Sequence, residues 1–292
     1  MMLRAALLVV LLIGGSGARA DETPLAVGIF GVVERTDPLV VAGRAIANPE
    51  AVKPLSPLGP DHRIAVGDTL AIRATLENGL LHAQRILAVF AVAGPVEKTG
   101  TEEARVMGTR VHIPPSGRVD DGTWAAFSGL WSGGKVITTR LTPLDANGIA
   151  MLTGVFADIG EAGLPVIGGS TIIGATLPDD DTGADVWLVT GTPAGEGLRV
   201  QLMSRGIFGG PVDLEIWEGY ASGPVASETW ALSGTPVLGY DREAQMPQAG
   251  TLLRVCARAA RVLRAPPMDA PEDLTAAFGA LGCAQTAAVS GG

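Results

Sequence analysis

The chain has 292 residues and carries 30 acidic against 21 basic side chains, a net charge of −9. That sign argues against a nucleic-acid binder, whose affinity rests on Lys and Arg neutralising phosphates, and no basic stripe interleaved with aromatics offsets it. Forty Gly and twenty Pro break the chain often, and short runs of Val, Ile, Leu and Thr between the breaks point to many short strands and an all-β fold.

Residues 1–20 hold Arg4, an apolar run from Ala5 to Ile13, and Ala18-Arg19-Ala20 before Asp21, an A-x-A cleavage pattern. This predicts a cleaved signal peptide and a periplasmic or secreted product. The run is shorter than the roughly 20 residues a spanning helix needs, and no Cys stands at the cleavage point to take a lipid, so no membrane anchor is expected.

Beyond the leader the chain resembles itself. Gly28 to Ile46 and Gly219 to Val237 both place Gly, a variable turn, an apolar alternating run and a second Gly at the same offset. Ala93 to Gly108 and Gly154 to Gly169 follow the same plan, so the second glycines, Gly43, Gly108, Gly169 and Gly234, recur about every 60 to 65 residues. A second shared element follows each unit: an alternating run, a Gly-containing turn and another alternating run, the pattern of a β-hairpin. It is seen in Gly67 to Ile86, Gly122 to Leu141 and Gly183 to Leu202.

The fourth copy, Gly250 to Ala259, keeps the first strand without a clear hairpin, as a capping repeat does. Leu252 to Leu263 also admits a helix with Arg254, Arg258 and Arg261 along one face. The repeat register favours a strand over Thr251 to Ala257 and leaves Arg258 onward open.

The organisation expected is a module at 25–89, a second at 90–146, a third at 149–206 and an atypical, capping fourth at 212–265. A unit of about 60 residues is near the lower limit for a core of its own, so it closes into a small barrel or leans on its neighbours. Partly open five-strand barrels of the oligonucleotide/oligosaccharide-binding (OB) type suit that size.

Residues 266–292 change character. Ala265-Pro266-Pro267 is a break, and Pro271 to Leu281 is a short helix with Glu272 and Asp273 in its first turn. Cys256 and Cys283 would enter an oxidising compartment and pair there, fastening this helix onto the fourth module to cover an open barrel end. The competing reading is a buried free thiol in a strand and an exposed one in the tail.

The unit formed by Gly31-Val32-Val33, Val40-Val41-Ala42-Gly43, Val66-Gly67-Asp68-Thr69-Leu70, Asn78-Gly79-Leu80-Leu81 and Ala83-Gln84-Arg85-Ile86 resembles an uncharacterised domain family of secreted bacterial proteins. That family is similar to small OB-type barrels. The resemblance is closest in the first repeat, looser in the second and third, and reaches only the opening half of the fourth. It implies a tandem array of four small OB-like β-barrel modules, and its motifs are turn and core positions that imply no activity.

Candidate chemistry is sparse. Asp179, Asp180 and Asp181, with Gly183 and Asp185, put carboxylates on one turn, where Asp179, Asp181 and Asp185 are the candidate ligands for a hard cation such as Ca²⁺. The twelve-residue loop with its terminal Glu is missing, and the equivalent turns hold Asp68 and Asp120-Asp121, which points to backbone bending in solvated turns. No other cofactor is expected. His62, His82 and His112 are expected at scattered, solvent-facing positions rather than as a zinc set. Ser128 and Ser132 lie by a Gly-rich turn, and the exported chain has no G-x-S-x-G elbow.

Of the five tryptophans, Trp124, Trp187 and Trp230 align with core positions of other copies. Trp131, beside Ser132-Gly133-Gly134, and Trp217 are the candidates for an exposed ring that stacks on sugar or anchors a protein. Repeats without a catalytic constellation favour a non-enzymatic periplasmic or secreted binding and scaffold protein of the bacterial cell envelope, its partner an envelope protein or glycan. The alternative is an envelope polysaccharide hydrolase working through an acidic pair.

Overall fold

A computed structural model describes residues 24–288, apart from 61, 116, 146–148, 157, 160–162, 179–184, 242–244 and 284–286. The expected leader and the candidate ligands Asp179 and Asp181 therefore lie outside the described residues. The described chain is all-β with one short C-terminal α-helix, and no described helix is long and apolar enough to cross a membrane.

Strands β1 (Leu25–Thr36), β2 (Leu39–Val41), β3 (Arg44–Ala47), β4 (Thr69–Glu77) and β5 (Leu80–Val89) close on themselves. β1 pairs with β2 and β4, β2 with β3, and β5 with both β3 and β4; only β3–β5 is parallel. The result is a closed five-strand barrel, which leaves no sheet edge unpaired.

The same circuit of pairings joins β6 (Val92–Lys98), β7 (Glu103–Val106), β8 (Thr109–His112), β9 (Trp124–Ser132) and β10 (Lys135–Leu144). Next come β11 (Ala150–Gly154), β12 (Asp158–Ile159), β13 (Pro165–Ile167), β14 (Ser170–Ile173), β15 (Trp187–Pro193) and β16 (Gly197–Arg205). They run in the order β12-β13-β14-β16-β15-β11 and, among the described residues, do not close. The circuit recurs in β17 (Leu214–Ala226), β18 (Thr229–Leu232), β19 (Leu238–Tyr240), β20 (Leu252–Arg258) and β21 (Arg261–Val262). Helix α1 (Glu272–Ala280) and β22 (Ala287–Ala288), which pairs with β20, complete the chain.

Backbone demands explain two of the spaced glycines. Gly43 and Gly108 take left-handed φ values of 73° and 87° in the tight turns after β2 and β7, beside Ala42 and Met107, which are also left-handed. Paired left-handed residues match the twist of a two-residue hairpin, and Gly enters them without steric cost.

The last circuit corrects the expectation of a missing hairpin. β20 is a strand, and it turns into β21 through Ala259 and Ala260, both left-handed at φ 47° and 61°. The second strand is only two residues long, so no alternating run marks it.

Two seams join the circuits. β1 runs parallel to β17, from Val27 opposite Leu214 to Phe30 opposite Trp217, so the first and last barrels share one sheet. β6 pairs antiparallel with β11 through Val92 and Ala93, joining the second circuit and the unclosed strands β11–β16 in one sheet. Contacts between the sheets include the Thr139 hydroxyl, which donates to Gly67 O at 2.5 Å.

Asp68 belongs to this second kind of contact, which corrects its assignment to a solvated turn. It is 1% exposed, and its Oδ2 accepts from Ala65 N at 2.8 Å and from Arg140 Nη1 at 2.7 Å, tying the first barrel to β10. His62 Nε2 lies 3.3 Å from the same oxygen and its ring meets Phe90 edge-on, so this side chain, 6% exposed, is enclosed rather than solvent-facing; as whole residues His62, His82 and His112 are all half-buried.

The C-terminal helix also departs from expectation. Its apolar positions Leu274, Ala277, Phe278 and Leu281 follow helical spacing and form one stripe. That stripe joins the core that fills the first barrel, among Val27, Ile29, Leu70 and Ile72. Cys283 just beyond it is bonded to Cys256 of β20, with Cα atoms 5.4 Å apart. The helix is thus fastened to β20 in the last circuit, as expected, but its apolar stripe packs into the core of the first barrel.

Candidate functional site

Side chains on a strand alternate between faces, so Glu215 and Trp217 of β17 project together. The parallel register sets Gly28 of β1 beside Glu215 and Phe30 beside Trp217, extending that face across the seam. A Cβ on Gly28 would stand 2.8 Å from Phe208 Cε2, so the Phe208 ring lies directly on bare backbone. Trp217 meets Phe30 at 5.1 Å between ring centroids, tilted by 46°, and Phe208 at 5.4 Å, edge to face.

Trp217 and Phe208 border a cavity of about 320 Å³, lined also by Asp185, Val186, Ile207, Glu215 and the Ala259-Ala260 turn. A depression of about 500 Å³ adjoins it, sharing Asp185, Phe208 and Glu215 and adding Arg205 and Arg258. Walls that are mainly apolar, with a few oriented polar groups, are the usual make-up of a small-ligand site.

The two carboxylates differ. Asp185 is paired with Arg205, whose Nε donates to Oδ2 at 2.5 Å. Glu215 receives one hydrogen bond among the described residues, from Trp217 Nε1 to Oε2 at 2.8 Å. Burial pushes its carboxyl above the ordinary range, the indole hydrogen bond pulls it back in part, and the charge of Asp185 adds to the rise.

Of the residues singled out in the sequence, Trp217 and Asp185 therefore come together here. The structure corrects the exposure expected of Trp217: it is 2% exposed and presents only part of its ring to the cavity. Trp131 is 7% exposed and is corrected likewise. Its indole N–H donates to Thr153 O at 2.9 Å, and Cβ atoms on Gly168 and Gly234 would fall within 2.4 and 2.1 Å of its ring. It rivets the two sheets rather than facing solvent.

Trp187 and Trp230 are buried, as expected of core residues, while Trp124 is half-buried. Ser128 is buried. No group of three His, Cys, Asp or Glu that could hold a metal occurs among the described residues. Glu215 and Phe208 were not singled out in the sequence. The signal for Glu215 was its position two residues before Trp217 on a strand, which shares a face with the ring.

A second buried carboxylate lies on the opposite face of β17. Glu218 is 2% exposed; its Oε1 accepts from Arg254 Nε at 2.9 Å and Nη2 at 2.8 Å, and its Oε2 accepts from Val32 N at 2.8 Å. Arg254 Nη2 also reaches Glu34 Oε1 at 2.7 Å. Burial raises the Glu218 carboxyl, and the Val32 N–H and the Arg254 charge offset that only in part. Fully enclosed and matched by protein groups, it is a clamp across the β1–β17 seam.

Compared with protein-family models, curated proteins and solved structures, the chain matches none.

Proposed function

We propose that the chain is a non-enzymatic binding and scaffold protein of the bacterial cell envelope, periplasmic or secreted, that holds an envelope glycan or protein group in the cleft at Trp217. The observation that carries this reading is the aromatic-walled cavity with one anchored carboxylate, built where the chain around Phe208 crosses the β1–β17 seam. The recurring strand circuits support four tandem OB-like modules as the scaffold. A Cys256–Cys283 bond is compatible with an oxidising compartment.

A second reading, an envelope polysaccharide hydrolase, draws support from the same place. Glu215, its carboxyl raised and within electrostatic reach of Asp185, has the character of a general acid beside a second carboxylate. Asp185 is however already engaged by Arg205.

Titration of the purified protein with soluble envelope glycan fragments and cross-bridge peptides, followed by tryptophan fluorescence and by chromatography of the fragments, separates the readings. Saturable binding that Glu215→Gln or Trp217→Phe weakens, with fragments recovered intact, supports the binder. Fragment cleavage abolished by Glu215→Gln overturns it in favour of the hydrolase.

A further inference from the structure

We propose that the group seated in this cleft is a small organic ammonium, held against Glu215 beside the Trp217 and Phe208 rings. The proposal rests on the binding reading above and specifies the chemistry of the ligand.

The charge pattern of the cleft is the first argument. Asp185 has its cation in Arg205. Glu215 has none among the described residues, and the one hydrogen bond it receives comes from a neutral indole. A carboxylate half withdrawn from water without a counter-ion is a destabilising arrangement, which a cation supplied by a ligand would relieve. Arg205 and Arg258 line the adjoining depression, and neither forms an ion pair with Glu215.

The rings supply the second argument. Aromatic faces attract ammonium groups through the ring quadrupole, more strongly where water is excluded. Trp217, Phe208 and the aliphatic Val186 and Ile207 line one cavity with the carboxylate. A carboxylate set among aromatic and aliphatic walls discriminates for alkylammonium. An inorganic cation would require several oxygen ligands in one shell, and among the described lining residues only Glu215 and Asp185 offer carboxylates. The size agrees, since about 320 Å³ is at the small end of ligand sites and suits a headgroup or a single amino sugar. The net charge of −9 favours the approach of cations to the molecule as a whole.

The test compares matched pairs of probes on the unaltered protein, by calorimetry and Trp fluorescence. Choline is set against its neutral isostere 3,3-dimethylbutan-1-ol, and glucosamine against N-acetylglucosamine. The expected result is a preference of roughly tenfold or more for the charged member of at least one pair. Glu215→Gln, with its fold checked by circular dichroism, should reduce that preference to about twofold or less. Affinity should also fall on acidification, starting at a higher pH than for an ordinary carboxylate.

Preference for choline alone identifies a quaternary headgroup, and preference for glucosamine alone an amino sugar; both support the proposal. Equal binding of charged and neutral members, or a preference that survives in Glu215→Gln, overturns it. If glycan fragments bind while no ammonium probe does, the proposal falls and the binding function stands. If nothing binds in the cleft, both fall.

Discussion

Replacing Phe278 with Ala removes a ring that is 3% exposed and belongs, with Leu274, Ala277 and Leu281, to the core cluster of Val27, Ile29, Leu70 and Ile72. The Cys256–Cys283 bond stays intact in this variant, so the helix remains tethered and only its packing is lost. A buried aromatic side chain accounts for roughly 150 Å² of surface removed from water, about 4 kcal/mol at about 25 cal/mol/Å². Ala retains part of that burial, whereas the unfilled space adds a cavity cost, which together place the loss at about 3 to 5 kcal/mol. Urea unfolding without reductant should show a lower midpoint at unchanged slope. Amide exchange read by mass spectrometry should lose protection over residues 25–33 and 70–76, in β1 and β4 of the first barrel. A loss below about 1 kcal/mol, or deprotection confined to residues 252–262, would refute the assignment of the helix to the first barrel's core.

Cys283→Ala, or reduction of the wild type, opens a loop with a sequence separation of 27 and should cost about 3 to 4 kcal/mol by chain entropy, measured as the difference in urea midpoint with and without reductant. Arg254→Met leaves Glu218 enclosed with the Val32 N–H but no cation; the expected loss is about 3 to 5 kcal/mol. Adding Glu218→Gln to that variant should recover much of the loss, and a double variant no more stable than Arg254→Met would contradict the clamp. Glu215 carries a pH signature. Its carboxyl is raised in the folded chain, so the folded state binds the extra proton, and the contribution is fully present at acid pH and lost as pH rises through the raised value. Glu215→Gln should therefore raise the melting temperature near about pH 7, with the gain closing towards about pH 4. A gain that persists unchanged at acid pH would contradict the raised carboxyl.

The all-β character, the C-terminal helix and the cysteine pair were legible because each has a local cause: alternating apolar runs, Pro271 with Glu272 and Asp273 at a helix start, and two cysteines in a chain expected to carry a leader. β21 was not, because its turn uses Ala259 and Ala260 in left-handed conformations that Gly or Asn would ordinarily announce. Trp131 next to Gly133-Gly134 has the local look of an exposed hairpin tip. Its burial comes from Gly168 and Gly234, far along the chain, whose bare backbones admit the ring. Asp68 has the local look of a turn residue, and its partner Arg140 is 72 residues away. What failed was exposure, since a side chain's solvent access here depends on which barrel lies against it.

The two carboxylates of β17 show how the seam divides structural from available charge. Glu215 and Glu218 are three residues apart on a strand, so they must project from opposite faces. Each is accommodated by a glycine of β1: Gly31, where a Cβ would stand 2.8 Å from Glu218 Oε2, and Gly28, where it would strike the Phe208 ring that borders the cavity with Glu215. Burial raises both carboxyls, yet the protein answers only one of them. Glu218 receives a guanidinium and a backbone N–H, which offset part of the cost of holding its charge at the β1–β17 seam. Glu215 receives an indole N–H and faces an open cavity. A neutral side chain could have filled that wall without the desolvation cost. The charge at Glu215 therefore contributes to stability only when something from outside the chain compensates it, which is the physical content of assigning the cleft a cationic ligand.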